Sequence, residues 1–246
     1  METNNYNQYT RKEFESFADG VKKLSTILKS NNPDYIFAPI IGSVPLIDLL
    51  AITDRHFPLD IVEYPPNSSR FSDREKTIEK WYTNFLKKNY FGKKMKIICV
   101  DELISGSSAV KGYTEFQRVL YDYGKKIGER LEKKLDYEIL GIGEMPKSRT
   151  RNHGIRSMLG KKKAYVVEVD RIITCDNPVL NPVKLKVERQ TSSGSFIYKP
   201  EIEKFEISQD YLRLLKEFAE YFGVDPDGVE SKNLMKIKES LEKYLK

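Results

Sequence analysis

Residues Lys96–Tyr113 read KIICVDELISGSSAVKGY. Ile97, Ile98, Cys99 and Val100 form a short apolar run with no charge inside it, the pattern of a strand covered on both faces. Two carboxylates, Asp101 and Glu102, end the run, and after two apolar residues comes Ser105-Gly106-Ser107-Ser108. Ala109, Val110, Tyr113, Phe116, Val119 and Leu120 then recur at helical spacing. A strand that enters a helix through a small, hydroxyl-rich turn aims backbone N–H groups and the positive end of the helix dipole at one point, which suits a phosphate. Carboxylates just ahead of the turn are placed to take the hydroxyls of a sugar attached to it. The same residues also fit an ordinary βα turn whose serines cap the helix.

On either side of this stretch the chain alternates strand and helix signals. Thr10 and Glu13 have the spacing of a capping box, and Phe14, Phe17, Val21, Leu24, Ile27 and Leu28 share one face of a helix over residues 10–30. DYIFA, residues 34–38, reads as a strand, and APIIGSVPLIDLLA, residues 38–51, as its turn and following helix, with Pro45 near the helix start. LDIVEY, residues 59–64, supplies a further strand. A polar loop, PPNSSRFSDREK, leads from it to a helix opened by Ser72 and Glu75. The helix after Ser108 is expected to run to Lys134, followed by strands YEILGI (137–142) and AYVVEV (164–169). Strands alternating with helices in this way predict an α/β protein with an open, mainly parallel sheet flanked by helices and its ligand at the carboxyl ends of the strands.

IICVDELISGSS resembles the phosphoribosyl-diphosphate loop of the type I phosphoribosyltransferases, in which a hydrophobic strand is followed by two acids, a short spacer and a Thr-Gly-x-Thr-like turn. Gly42-Ser43-Val44-Pro45-Leu46 is similar to that family's pyrophosphate loop. The resemblance covers residues 34–170. With Asp101 and Glu102 as the acidic pair the spacer is one residue short; at family spacing Asp101 is the second acid and Val100 stands in place of the first, and Ile40 and Ile41 stand where a basic residue is common. The resemblance implies transfer of phosphoribose from phosphoribosyl diphosphate, or binding of a nucleotide, with magnesium held mainly by the ligand. By the same resemblance Ser105, Gly106, Ser107 and Ser108 would hold the 5-phosphate, Gly42 and Ser43 the pyrophosphate, and Asp101 and Glu102 the ribose. Arg70, in the loop that closes over the reaction centre in that family, would face the departing pyrophosphate. A binding or regulatory protein that keeps the pocket without the transferase activity fits the same motifs.

Composition sets outer limits. The chain has 246 residues, 39% hydrophobic and 32% charged, and no apolar run long enough to span a membrane. The polar start METNNYNQYT carries no signal-peptide core, and two cysteines make neither a disulfide framework nor a zinc set, so a cytoplasmic location is expected. A net charge of +6 favours anionic partners without choosing among them. KSRTRNHGIRSMLGKKK, residues 147–163, holds seven Lys or Arg and no acid, a pattern open to nucleic acid, to a polyphosphate or to plain solvation. Residues 1–170 are expected to form the α/β domain. Residues 171–246 then form a small α+β appendage: a hairpin about Gln190–Gly194, a helix after Ser208 and another after Ser231. The appendage is expected to cover one end of the core or to pair with a second subunit.

Overall fold

A computed structural model describes residues 9–67, 73–144, 153–190 and 196–228, the hairpin strands within 180–206 by backbone alone. Five parallel strands form one open sheet: β1 (Tyr35–Phe37), β2 (Val62–Glu63), β3 (Met95–Glu102), β4 (Leu135–Glu144) and β5 (Ala164–Val169), in the order β2-β1-β3-β4-β5. Helices α1 (Arg11–Asn31), α2 (Val44–Thr53) and α6 (Gln209–Tyr221) cover one face. Helices α3 (Arg74–Asn89), α4 (Ser107–Ile127) and α5 (His153–Gly160) cover the other.

The period-2 alternation of β3 separates the two cores. Ile98 and Val100 join α1 and α2, whereas Ile97 and Cys99 join α3 and α4. In strand order β2-β1-β3 the chain leaves β1 in one direction along the sheet and returns past it to β3. The loops after β1 and β3 therefore diverge, and the crevice between their carboxyl ends is the place where open α/β sheets take ligands.

Local signals account for most element ends. The capping box of α1 is formed, with Thr10 Oγ1 accepting from the Glu13 amide at 3.2 Å and Glu13 Oε2 accepting from the Thr10 amide at 2.6 Å. Helix α4 stops at Gly128, which adopts φ +74° and a left-handed cap, seven residues before β4 begins at Leu135 rather than at Lys134 as its pattern predicts. Of LDIVEY, only Val62 and Glu63 are strand, because Leu59–Ile61 coil into a 3-10 turn behind Pro58. Helix α3 opens after Asp73, which makes no side-chain cap, and Glu75 binds Lys111 instead; Ser72 lies outside the described residues.

In the tail, β6 (Leu180–Gln190) and β7 (Phe196–Ile207) form the expected antiparallel hairpin. Helix α6 begins at Ser208, whose Oγ accepts from the Tyr211 amide. It packs into the core of the α1 and α2 face: Phe218 meets Phe14 and Phe17 at ring separations of 5.6 and 6.1 Å, and the Tyr211 hydroxyl donates to Asp48 Oδ2 at 2.6 Å. The helix expected after Ser231 lies outside the described residues. No helix among the described residues is long and apolar enough to cross a membrane.

Phe218→Ala should lower stability by about 3–5 kcal/mol through the cavity it leaves. Phe91→Ala, at a side chain 80% exposed, should change it by under about 0.5 kcal/mol. Urea melts of both variants check the claim that α6 is part of the core, which equal midpoints would refute.

Candidate functional site

The two turns singled out from the sequence meet at the crevice between β1 and β3. Ser43, wholly buried at the start of α2, donates its hydroxyl to Asp101 Oδ1 at 2.8 Å. Its own amide donates to the Pro39 carbonyl at 3.1 Å, so Ser43 acts through Asp101 and has no N–H left for an anion. Gly42 is the exposed residue of that turn, and a Cβ placed on it would lie 3.9 Å from Asp101 Oδ1. The peptide between Ile40 and Ile41 is cis.

Beyond β3, Leu103 is buried against Gly141 of β4, and Ile104 emerges half-exposed. Ser105, Ser107 and Ser108 are exposed around Gly106. Gly106 is required twice over: its φ is +74°, and a Cβ there would stand 2.3 Å from Ile155 Cγ1 of α5. Helix α4 starts at Ser107, so the amides of its first turn point out of the helix beside exposed hydroxyls, at the positive end of a 21-residue helix. The Ser107 amide makes a long bond to Ser105 Oγ, 3.3 Å.

Asp101 and Glu102 face opposite sides of the sheet. Successive strand residues face opposite sides, and Asp101 continues the Ile97 and Cys99 row toward α3 and α4 while Glu102 continues the Ile98 and Val100 row. Glu102 Oε1 accepts from Thr174 Oγ1 at 2.5 Å, and Cys175 Sγ approaches Oε2 at 3.8 Å, both from the 3-10 turn after β5. Burial raises the Glu102 carboxyl to about 8, against the Thr174 bond, with the Asp101 charge adding to the rise. Burial also raises Asp101, to about 6, opposed by the bonds from Ser43 and the Glu102 amide and by the charge of Arg74. Asp101 Oδ2 takes no hydrogen bond from a described residue.

Arg74 is the cation that sequence reading missed. Its Nε and Nη2 donate to Asn67 Oδ1 at 3.0 and 2.5 Å, and Asn67 Nδ2 donates to the Ser108 carbonyl at 2.8 Å. This chain ties the first turn of α3 to the first turn of α4 and holds a half-buried guanidinium within electrostatic reach of Asp101. Arg70 lies outside the described residues, as do Arg149 and Arg151 of the basic run. His153 and Arg156 are exposed on α5. No cluster of three His, Cys, Asp or Glu with metal-binding geometry occurs among the described residues. The chain matches no family model, no curated protein and no solved structure.

Because both folded carboxyls titrate above their ordinary values, the protonated form is favoured in the fold. Their contribution to stability is complete below about pH 4 and is lost as pH rises through about 6 for Asp101 and about 8 for Glu102. Glu102→Gln fixes a neutral group at that position. Relative to the parent protein, its urea midpoint should therefore be higher at pH 8.5 than at pH 5, and an unchanged difference would show that Glu102 is already ionised in the fold.

Proposed function

We propose that the protein binds phosphoribosyl diphosphate in the crevice between β1 and β3 and transfers its phosphoribosyl group to a nitrogen acceptor, releasing pyrophosphate. The observation that carries this reading is the Ser43–Asp101 hydrogen bond of 2.8 Å, which couples the two turns that resemble the pyrophosphate and phosphoribosyl loops of the type I phosphoribosyltransferases. The exposed hydroxyls of Ser105, Ser107 and Ser108 and the first-turn amides of α4 would receive the 5-phosphate. Asp101 Oδ2 would accept from a ribose hydroxyl, Oδ1 being engaged by Ser43 and by the Glu102 amide. Gly42, beside Asp101, would turn its amide to the pyrophosphate.

In the transfer the C1–O bond to pyrophosphate breaks and the leaving group keeps the electron pair. The acceptor nitrogen forms the C1–N bond and releases its proton to solvent. Charge develops on the ring and on the departing oxygen, so fixed charges of opposite sign on either side lower the barrier. Asp101, ionised above about pH 6, supplies the negative one toward the sugar, and Arg74 the positive one toward the phosphates. Magnesium would be held mainly through the phosphates of the ligand, since Asp101 Oδ2 is given to the ribose. When bound, the ion would neutralise charge on the pyrophosphate.

One observation favours a second reading, a binding or regulatory protein without turnover. Glu102, the other acid of the motif, faces away from Arg74 and is held neutral near pH 7 beside Thr174. A single ionised carboxylate is then left to stabilise the sugar.

Phosphoribosyl diphosphate with magnesium, at about a hundredfold over its Kd, should raise the melting temperature by about 5 °C or more. Asp101→Asn should shrink that shift. Pyrophosphate release with a panel of purine and pyrimidine bases supports transfer, and stabilisation without release supports the binding protein. No stabilisation, or an equal shift in Asp101→Asn, refutes both.

A further inference from the structure

In a parallel sheet every helix-to-strand loop falls at the amino-terminal edge, opposite the candidate site. Three such loops serve neighbouring strands here: residues 90–94 before β3, 128–134 before β4 and 161–163 before β5. They are tied into one surface. The Lys134 ammonium donates to the Gly92 carbonyl at 3.4 Å, the Met95 amide to the Lys134 carbonyl at 3.0 Å, and the Ile139 amide to the Lys163 carbonyl at 2.9 Å. Between them lies a cleft of about 550 Å3, with Lys94, Lys96, Lys133, Lys134 and Lys163 on its walls.

Three of the acids at this edge are already paired, Glu129 with Lys134, Asp136 with Lys163 and Glu138 with Lys96, while Asp34, which accepts from the Lys96 amide, and Glu132 are exposed. Outside these pairs stand Lys93, Lys94 and Lys133, with Lys161 and Lys162 on the third loop, all exposed and none paired with a described residue. Lysines at the C-terminal turns of α3 and α4, and Lys161 and Lys162 at the end of α5, are explained by the helix dipole, but Lys93, Lys94 and Lys133 lie beyond those turns. Phe91, 80% exposed, caps the first loop next to Gly92, which turns at φ +80°. No packing among the described residues accounts for an aromatic ring presented to solvent on a lysine-rich tip.

We propose that this edge is a binding surface for single-stranded nucleic acid, the lysines of the three loops following the phosphates and Phe91 stacking on an unpaired base. A positive groove with an aromatic platform is the arrangement that holds a single strand without reading its sequence. Duplex phosphates would meet the same charge but offer Phe91 no free base face. The inference is independent of what occupies the crevice at the other end of the sheet.

Fluorescence anisotropy of the full chain with labelled oligothymidylate and oligouridylate, beside a duplex of equal length, tests it. Five phosphate contacts predict affinity for single strands falling about a hundredfold between about 50 and about 200 mM salt. Lys94→Glu combined with Lys133→Glu should weaken binding at least tenfold and lower the salt slope. Phe91→Ala should weaken single-strand binding by about fivefold or more with the slope unchanged. Melting temperatures within a degree or two of the parent would show that these surface variants fold. No binding at low salt, parental affinity in the doubly reversed variant, a duplex preference unaffected by Phe91→Ala, or stronger binding to anionic vesicles than to either oligonucleotide would each overturn the proposal.

Discussion

The hydrogen bond from Ser43 to Asp101 fixes the relation between two loops that the sheet would otherwise let diverge. Strands β1 and β3 are neighbours with a parallel register running from Tyr35 opposite Ile97 to Phe37 opposite Cys99, after which β1 ends while β3 continues to Glu102. The extra residues of β3 stand beside the turn after β1, and Asp101 is where a side chain from one reaches the other. A carboxylate buried at that depth needs donors. Ser43 and the Glu102 amide supply two on one oxygen, and Arg74 supplies an offsetting charge from α3. Elements α2, α3, β3 and α4 are thereby held around one point by polar contacts, at the edge of the two hydrophobic cores.

The alternation of a strand decides more about this site than the identity of its residues. Adjacent acids after an apolar run look like a pair in one dimension, yet a period of two sends Asp101 toward α4 and Glu102 toward the turn after β5. Their environments then separate their chemistry. Burial raises both carboxyls, Asp101 to about 6 against the charge of Arg74 and Glu102 to about 8 against its bond from Thr174. Glu102 thus fastens the segment leaving β5, and Asp101 is the acid of the two that faces Arg74.

How much of this was legible followed from how local each signal is. The capping box of α1, the whole of AYVVEV and the antiparallel pairing on either side of the expected Gln190–Gly194 connection are encoded within a few residues and could be read directly. The edge strand β2 is shorter than its apolar run implies because it pairs on one side only and Pro58 starts a 3-10 turn inside the run. The early stop of α4 had a signal in Gly128, overridden in the reading by charged residues that continue the helical pattern. Arg74 had none. It sits in the string SDREK like any solvated helix start, and its role comes from Asn67 and Ser108, which approach it only after folding. The meeting of Gly42 and Ser43 with Asp101 was suggested by two motifs in order, but the loss of the Ser43 amide to Pro39 required the turn itself.

The two ends of the sheet differ electrostatically for a reason built into the topology. Each βα loop brings a helix N-terminus to the carboxyl edge, where partial positive charge favours anions and tolerates Asp101. Each αβ loop brings a helix C-terminus to the opposite edge, where partial negative charge favours lysine. Along β3 this polarity runs from Lys94 and Lys96 at one end to Asp101 and Glu102 at the other. Dipoles fade within a turn of the helix end, so they explain Lys87, Lys88, Lys125 and Lys126 but not the lysines farther along the loops. A cationic edge that exceeds what its helices call for, on a chain whose crevice already holds its own cation in Arg74, is a second electrostatic feature, separate from the crevice.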